Sequence, residues 1–220
     1  MRALVVGASG GIGRALVAEL RGREAEVVGL SRSGDGIDVT EEASVAAAIG
    51  ALEPGFDLVM VATGALVIDG VGPEKSLRAV TAEGLAAQFA VNAIGPALVM
   101  KHALRLLPRE RVSKLAVLSA RVGSIGNNAL GGWYGYRAAK AALNQMVRTA
   151  SVEAKRTHPF SVFVALHPGT VETGLAPALR AGHPSVSPEV AAGNLLRVLE
   201  GLGPEQSGGF YDWKGEGVPW

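Results

Sequence analysis

The chain has 220 residues, of which 48% are hydrophobic and 19% are charged, a composition typical of a globular protein rather than a disordered one. Its formal net charge of +1 gives no electrostatic basis for binding nucleic acid or a membrane surface. The absence of cysteine excludes a disulfide framework, a thiolate metal site and a cysteine nucleophile. The four histidines show no metal-binding spacing either, so we expect a cytoplasmic protein without a metal site.

Short apolar runs alternate with helical stretches along the whole chain. The runs are continuously apolar, which indicates strands covered on both faces, and the intervening helices indicate crossovers between parallel strands. We therefore predict an α/β protein, one domain over residues 1–220, with a Rossmann-type doubly wound parallel sheet and helices on both faces. In chain order, the predicted strands are 3–6, 26–30, 37–39, 57–61, 115–119 and 161–166, with a last strand in the tail that begins at residue 207. The predicted helices are 14–21, 41–52, 73–80, 81–107 with a bend at Pro96, 133–156, and 187–200 with Ser187 as its cap.

A glycine-rich turn connects the first strand to the first helix. Glycine allows a sharp turn and lets a pyrophosphate approach the backbone, where the N-terminus of the helix offers unpaired N–H groups. A glycine turn that serves only strand–helix packing is the alternative. The position of the turn, directly after an apolar strand, favours the dinucleotide. The residues predicted to bind it are Gly7, Ser9, Gly10, Gly11, Ile12 and Gly13.

The end of the second strand should meet the adenosine ribose of a dinucleotide. An acidic residue there would favour NAD, but the segment from Gly29 to Ser33 contains none. Arg32 can instead pair with a 2′-phosphate, so we predict NADP(H), with NAD(H) as the less favoured cofactor. Further along, Asp38 and Val39 follow the predicted third strand. Asp38 can accept a hydrogen bond from the adenine amino group or cap the next helix, and the sequence does not separate these roles.

Tyr136 precedes Lys140 by four residues within a predicted helix, which places both side chains on one helix face. A fixed ammonium beside a phenol favours the phenolate and so lowers the pKa of the tyrosine. Such a pair is a proton donor and acceptor. Tyr134 has no lysine four residues later and is not expected to take this role.

Taken together, these motifs resemble the short-chain dehydrogenase/reductase family over essentially the whole chain. The branch most similar to this sequence contains the C-factor-like proteins and small carbonyl reductases. The resemblance implies interconversion of a ketone or aldehyde and an alcohol by hydride transfer, in a homo-oligomer. The motifs that carry it are the run from Gly7 to Gly13, Asp38-Val39, Asn92, Tyr136-x-x-x-Lys140 and Pro168-Gly169-x-x-x-Thr173.

The resemblance also implies a role for each matching residue. Tyr136 would donate or remove the substrate proton, Lys140 would hold the nicotinamide ribose, and Asn92 would anchor a water that feeds the proton relay. The turn at Pro168 and Gly169 would shape the floor under the nicotinamide ring. The carboxamide would be held by Thr173 and the backbone at Val171. Residues 174–186, which follow, are expected to form a lid over the substrate.

The sequence departs from the family pattern in two places. The run Ala62-Thr63-Gly64, which is expected to border the cofactor, replaces the end of the usual Asn-Asn-Ala-Gly. The catalytic serine is usually the second of a pair, and here the pair is Ser119-Ala120. Ser119 is the first candidate for this role and Ser124 the second. If neither polarises the carbonyl, turnover is slow, and a nearly inactive dinucleotide sensor becomes the alternative function.

Overall fold

A computed structural model of the protein describes residues 1–173 and 184–220. Six parallel strands form one sheet in the order β2-β1-β3-β4-β5-β6, which confirms the predicted Rossmann-type fold. The order reverses between β1 and β3, because the chain builds outward from β1 in both directions. In open sheets of this kind, ligands bind beyond the carboxyl ends of the strands near that switch point. The strands are β1 (Arg2–Val6), β2 (Glu26–Leu30), β3 (Leu58–Val61), β4 (Ser113–Leu118), β5 (Ser161–His167) and β6 (Phe210–Asp212).

Helices pack on both faces of the sheet and bury alternate residues of each strand. On one face, Leu4 and Val6 pack with apolar residues of α2, α4 and α5. On the other, Ala3 and Val5 pack with α1 and α6. This double cover explains why the strands contain unbroken apolar runs rather than an alternation of apolar and polar residues. The helices are α1 (Gly11–Gly22), α2 (Glu42–Gly50), α3 (Ala82–Phe89), α4 (Gly95–Ala103), α5 (Tyr134–Ala154) and α6 (Pro188–Glu200).

The predicted strand at 37–39 is wrong. Ile37 is buried in the core, but the residues after it form a turn. The N–H of Asp38 donates to Ser44 Oγ, and the N–H of Thr40 donates to Asp38 Oδ1. Side chains thus take the backbone groups that a neighbouring strand would have needed. The predicted helix at 73–80 is also reduced, to a short 3-10 turn at Leu77–Ala79.

The predicted helix at 81–107 is interrupted, and the interruption lies before Pro96 rather than at it. A π-helical segment, Ala90–Ile94, joins α3 to α4. Pro96 is the second residue of α4 and stands two residues after the end of the π segment. A π segment inserts an extra residue and is frequent at functional sites.

The tail and the last helix follow the prediction. Ser187 Oγ accepts a hydrogen bond from the N–H of Val190 and caps α6. The Trp220 ring stacks on Phe210 of β6 with centroids 5.9 Å apart. Most of the predicted lid, residues 174–183, lies outside the described residues. No helix in the described ranges is both long enough and apolar enough to cross a bilayer.

Candidate active site

A cavity of about 450 Å³ opens at the carboxyl ends of β1, β3, β4 and β5. It lies at the switch point of the sheet, where the topology predicts a ligand. Both predicted motifs meet here, the glycine turn from one side and the helix that carries Tyr136 and Lys140 from the other. The residues that line it within the described chain are Gly10, Gly11, Ile12, Ala62, Thr63, Gly64, Ala65, Leu66, Val67, Leu118, Ser119, Ala120, Tyr136, Lys140, His167, Pro168, Gly169 and Thr173.

The glycine turn is built so that side chains are excluded from it. Gly7 has a φ of 93°, and a Cβ there would lie 2.8 Å from the carbonyl carbon of Ala62. A Cβ on Gly13 would lie 2.1 Å from Gly7 O, and one on Gly11 would lie 2.6 Å from Thr173 Cγ2. No side chain caps the N-terminus of α1, so its first N–H groups face the cavity rim without an intrahelical partner. The three Cβ contacts show that these glycines are needed for packing within the protein. The uncapped N–H groups of α1 at the cavity are the feature that would suit a pyrophosphate. Ser9, also predicted to bind it, is exposed beside the turn.

Tyr136 and Lys140 are both buried against the cavity, and the Lys140 ammonium lies 5.9 Å from the centroid of the Tyr136 ring. Lys140 Nζ donates to Leu118 O at 2.9 Å. Burial lowers the pKa of Lys140 to about 7 and raises the pKa of Tyr136 to about 12. The sequence predicted a lowered pKa for Tyr136, and in the protein alone that expectation is wrong because desolvation outweighs the charge of the lysine.

Asn92 is fully buried and holds the loop after β3 in place. Its Nδ2 donates to Ala65 O and Gln88 Oε1, both at 2.8 Å, and its Oδ1 accepts from the N–H of Ala65 at 3.0 Å. Gln88 extends this clamp by donating to Leu66 O at 3.1 Å. The clamp holds Ala65 and Leu66, two residues of the cavity wall. Asn92 lies behind Gly64, where a Cβ would be 3.1 Å from Asn92 Oδ1 and 3.4 Å from Lys140 Nζ.

The two candidate serines occupy different places. Ser119 lines the cavity, but its hydroxyl donates to Asn144 Oδ1 on α5 at 2.6 Å. Ser124 is buried, donates to Pro219 O and accepts from the N–H of Asn127, and does not line the cavity. Ala120 lines the cavity and brings no hydroxyl. In this arrangement each of the two serine hydroxyls donates to an acceptor of the protein itself.

The turn after β2 carries an exposed arginine and a carboxylate. Arg32 is exposed at the first position after Ser31. Ser31 Oγ accepts from the N–H of Gly34 at 3.1 Å, so this hydroxyl shapes the turn. Asp35 Oδ2 accepts from the N–H of Ser31 at 3.0 Å. The end of β2 thus has an acidic group close by, the carboxylate of Asp35. It lies just outside residues 29–33, the segment in which the sequence shows no acidic residue.

Asp38 forms a local turn ahead of α2. Its Oδ1 accepts from Thr40 Oγ1 at 2.7 Å and from the N–H of Thr40 at 2.9 Å. These two hydrogen bonds hold the pKa of Asp38 below its ordinary value, and the bond from the Thr40 side chain has the larger effect. Asp38 does not cap α2, whose N-cap residue is Glu41, and its hydrogen bond to an adenine amino group stays a prediction. Val39 packs on α4, where a Cβ on Gly95 would lie 2.9 Å from Val39 Cγ2.

The loop after β5 forms the floor of the cavity. Gly169 has a φ of 81°, and its missing Cβ makes room for the Trp213 ring, 3.0 Å from where that atom would lie. Both Gly169 and Pro168 line the cavity. Val171 pairs with Val186 in an isolated parallel bridge and does not line the cavity. Thr173, whose N–H donates to Val171 O at 2.8 Å, lines the cavity and packs its methyl group against Gly11 of the glycine turn.

Thr63 was expected to border the cofactor, whereas sequence reasoning missed His167 and Glu74. Thr63 Oγ1 and His167 Nδ1 are buried without a hydrogen-bond partner among the described residues. Burial, then Arg121, lowers the pKa of His167 to about 4, so its imidazole is neutral at pH 7. Glu74 accepts hydrogen bonds from the first turn of α5. None carries a local motif, because each acts through neighbours far away in the sequence. The described residues hold no cluster that could bind a metal ion.

The family profile described as Enoyl-(Acyl carrier protein) reductase matches residues 7–199. The chain belongs to the short-chain dehydrogenase/reductase family of oxidoreductases, as the sequence resemblance predicted.

Two curated relatives and one solved structure show what the chain is similar to. It is 32% identical over 232 residues to a 1-hydroxy-2-glutathionyl-2-methyl-3-butene dehydrogenase of Rhodococcus sp. (strain AD45), covering 99% of this chain and 98% of the relative. It is 40% identical over 139 residues to the C-signal protein of Myxococcus xanthus, covering 62% of this chain and 78% of the relative. The fold matches an NADPH-bound carbonyl reductase from chicken fatty liver with a TM-score of 0.84 at 23% identity, covering 100% of this chain and 94% of the other.

Proposed function

We propose that this chain is an NADP(H)-dependent oxidoreductase that interconverts a ketone or aldehyde and an alcohol. The observation that carries the proposal is that Tyr136 and Lys140 line the same cavity as the glycine turn. A proton donor and a turn suited to binding phosphate thus border the same cavity. The wall formed by Leu66, Val67 and Ala120 is apolar, which suits a neutral carbonyl compound.

The choice of NADP(H) rests on Arg32. Arg32 is exposed just after β2, the position that meets the adenosine ribose in dinucleotide-binding folds of this type, and a guanidinium pairs well with a 2′-phosphate. The chicken carbonyl reductase was solved with NADPH, and a short-chain dehydrogenase/reductase of Burkholderia multivorans, similar in fold with a TM-score of 0.80, was solved with NADP. Both support the same choice.

In the reductive direction, bound NADPH supplies the hydride for the carbonyl carbon. The Tyr136 hydroxyl gives its proton to the carbonyl oxygen, which leaves a phenolate in a buried site. That phenolate is costly on its own, as the pKa of about 12 shows. Lys140, when protonated, offsets the charge from a short distance and can return a proton to Tyr136. In oxidation the proton moves the opposite way.

The reaction is tested by following nicotinamide absorbance with a panel of ketones and aldehydes and with either reduced cofactor. Tyr136→Phe should lower kcat by two orders of magnitude or more and leave NADPH binding intact, because only the proton is lost. Tyr134→Phe, two residues earlier and partly exposed, is the matched control and should keep its activity. NADPH that binds tightly without turnover on any carbonyl would contradict the proposal.

A second candidate function is a dinucleotide-binding protein with slow turnover and a signalling role. It is favoured by one observation, that Ala120 stands at the cavity while both nearby serine hydroxyls bond elsewhere. The same panel separates the two candidates by rate.

We also propose a homo-oligomer through the outer faces of the long helices, where Val152 of α5 is 53% exposed, and analytical ultracentrifugation tests it.

A further inference from the structure

The catalytic helix α5 begins without a cap from its own sequence. Its N-cap residue is Trp133, whose side chain makes no capping hydrogen bond, and the residues just before it are glycines. Serine, threonine, aspartate or asparagine would normally accept a hydrogen bond from the second or third N–H of a helix at this position. Trp133 also has a φ of 55° and a ψ of 44°, in the left-handed region that a bulky residue rarely adopts.

Glu74, from the loop between β3 and α3, supplies the missing acceptors. Its backbone oxygen accepts from the N–H of Trp133 at 2.5 Å, and its Oε2 accepts from the N–H of Gly135 at 3.0 Å. Gly135 is the second residue of the helix, so the carboxylate replaces an N-cap side chain. A carboxylate at this end also favours the helix dipole. A Cβ on Gly135 would lie 2.9 Å from Glu74 Oε1, so the glycine leaves room for the carboxylate in its present position.

The capped turn carries the proton donor. Tyr136 follows Gly135 directly, and its ring meets the edge of the Trp133 ring, with centroids 6.3 Å apart and planes at 75°. The orientation of the Tyr136 ring therefore depends on the backbone at Trp133. That backbone is held in its strained conformation by the hydrogen bond to Glu74 O.

The loop that carries Glu74 is also fixed at its other end. Ala65 and Leu66 line the cavity and are held by the clamp of Asn92 and Gln88. Gln88 also packs close to Gly135, where a Cβ would lie 3.1 Å from Gln88 Cγ. One loop thus connects the cavity wall to the first turn of α5.

We propose that Glu74 is a positioning residue, which caps the catalytic helix and sets the ring of Tyr136 for proton transfer at the cavity. This role rests on the proposed function of Tyr136. Glu74 acts through Trp133 and Gly135 and has no described contact with the cavity itself.

The test compares Glu74→Ala, Glu74→Gln and the control Glu83→Ala, which removes an exposed carboxylate of α3 that makes no described hydrogen bond. Glu74→Ala should lower kcat at least tenfold, with the NADPH dissociation constant within twofold of wild type. The solvent deuterium isotope effect on kcat should rise, since proton transfer becomes slower. Glu74→Gln keeps an acceptor oxygen and should retain most of the activity. Glu83→Ala should match wild type throughout.

Amide hydrogen exchange gives a readout that needs no turnover. Residues 133–140 should exchange faster in Glu74→Ala and at the wild-type rate in Glu83→Ala. If Glu74→Ala does not fold, Glu74→Asp, which shortens the side chain by one methylene, takes its place with the same expectations. Wild-type kcat and exchange in the variant would overturn the proposal. A wild-type protein that reduces no carbonyl would refute the proposed function alone, because exchange would still show whether Glu74 holds the helix.

Discussion

Ser119 donates its hydroxyl hydrogen to Asn144 Oδ1, two helical turns beyond Tyr136 on the same face of α5. Asn144 in turn donates to Gly123 O, so its amide spans the short turn that contains Ala120. This arrangement makes Ser119 a brace between β4 and α5. It leaves the residue after it, Ala120, as the one at the cavity where a hydroxyl would be useful.

Replacing Ala120 with serine should therefore add a hydrogen-bond donor for the carbonyl oxygen. Ala120→Ser is expected to raise kcat by about tenfold or more, since a single oxyanion donor is worth about 10²–10³ in other enzymes. Steady-state kinetics on the best carbonyl substrate measure the effect. Ser124→Ala is the control and should leave kcat unchanged, because Ser124 faces the tail. A slower Ala120→Ser enzyme would mean that another group already polarises the carbonyl.

Ser119→Ala should affect stability more than rate. The change leaves the buried oxygen of Asn144 without this donor, so the free energy of unfolding should fall by about 1–3 kcal/mol. Urea denaturation measures the loss, and kcat should stay within a few-fold of wild type. A rate loss of several orders of magnitude with unchanged stability would instead identify Ser119 as the direct donor to the substrate.

Arg32→Ala should weaken the binding of NADPH far more than that of NADH. The charge-assisted pair with the 2′-phosphate would be lost, which predicts at least a tenfold rise in the NADPH dissociation constant. Titration of cofactor fluorescence measures both constants. Arg156→Ala, at an exposed position beyond α5, controls for the change in net charge. Equal losses for both cofactors would refute the assignment of Arg32.

The buried Lys140 predicts a pH dependence of stability. Its pKa is about 7 in the folded protein and 10.5 for an ordinary lysine in an unfolded chain, so the unfolded chain binds more protons between these two pH values. Stability therefore rises with pH across this window and is lost as the pH falls towards 7. The difference of about 3.5 pKa units corresponds to roughly 5 kcal/mol over the full range. Lys140→Met should flatten the dependence in urea denaturation at pH 7 to 10, and a slope equal to that of wild type would contradict the burial argument.

Gly13 and Gly22 form a matched pair within α1. A Cβ on Gly13 would lie 2.1 Å from Gly7 O, whereas one on Gly22 would meet nothing within 4 Å. Gly13→Ala should destabilise the protein by several kcal/mol, as forced overpacking does, and abolish cofactor binding. Gly22→Ala should stabilise it by up to about 1 kcal/mol. Thermal unfolding with and without NADPH compares the two, and similar melting temperatures would show that the turn adapts.

The fold could be predicted because its signals are local and repeated. Each core strand is a short apolar run, and each crossover helix has its own period, so the parallel sheet follows without knowledge of any contact. The strand predicted at 37–39 failed because Ile37 is buried in a turn whose backbone groups bond to side chains at Ser44 and Asp38. An apolar residue such as Ile37 is buried in a strand and in a turn alike, so its burial does not distinguish the two.

The site could be predicted where its residues form a motif and not where they act across the fold. The glycine turn and the spacing of Tyr136 and Lys140 are visible in the sequence. Asp35 accepts from the N–H of Ser31, four residues earlier, and Glu74 accepts from the N–H of Gly135, 61 residues later. The pKa of Tyr136 is raised because the fold buries its hydroxyl away from water, and the spacing of Tyr136 and Lys140 in the sequence does not show that burial.

The π segment at Ala90–Ile94 changes the direction in which side chains face between α3 and α4, which otherwise form one continuous helix. Gln88 and Asn92 can face the loop after β3, while Val99 and Ala103 beyond the segment face the core. Deleting one residue there would turn one of these sets away by roughly 100°. A single-residue deletion in the continuous helix from α3 to α4 should therefore be more harmful than most substitutions of its side chains.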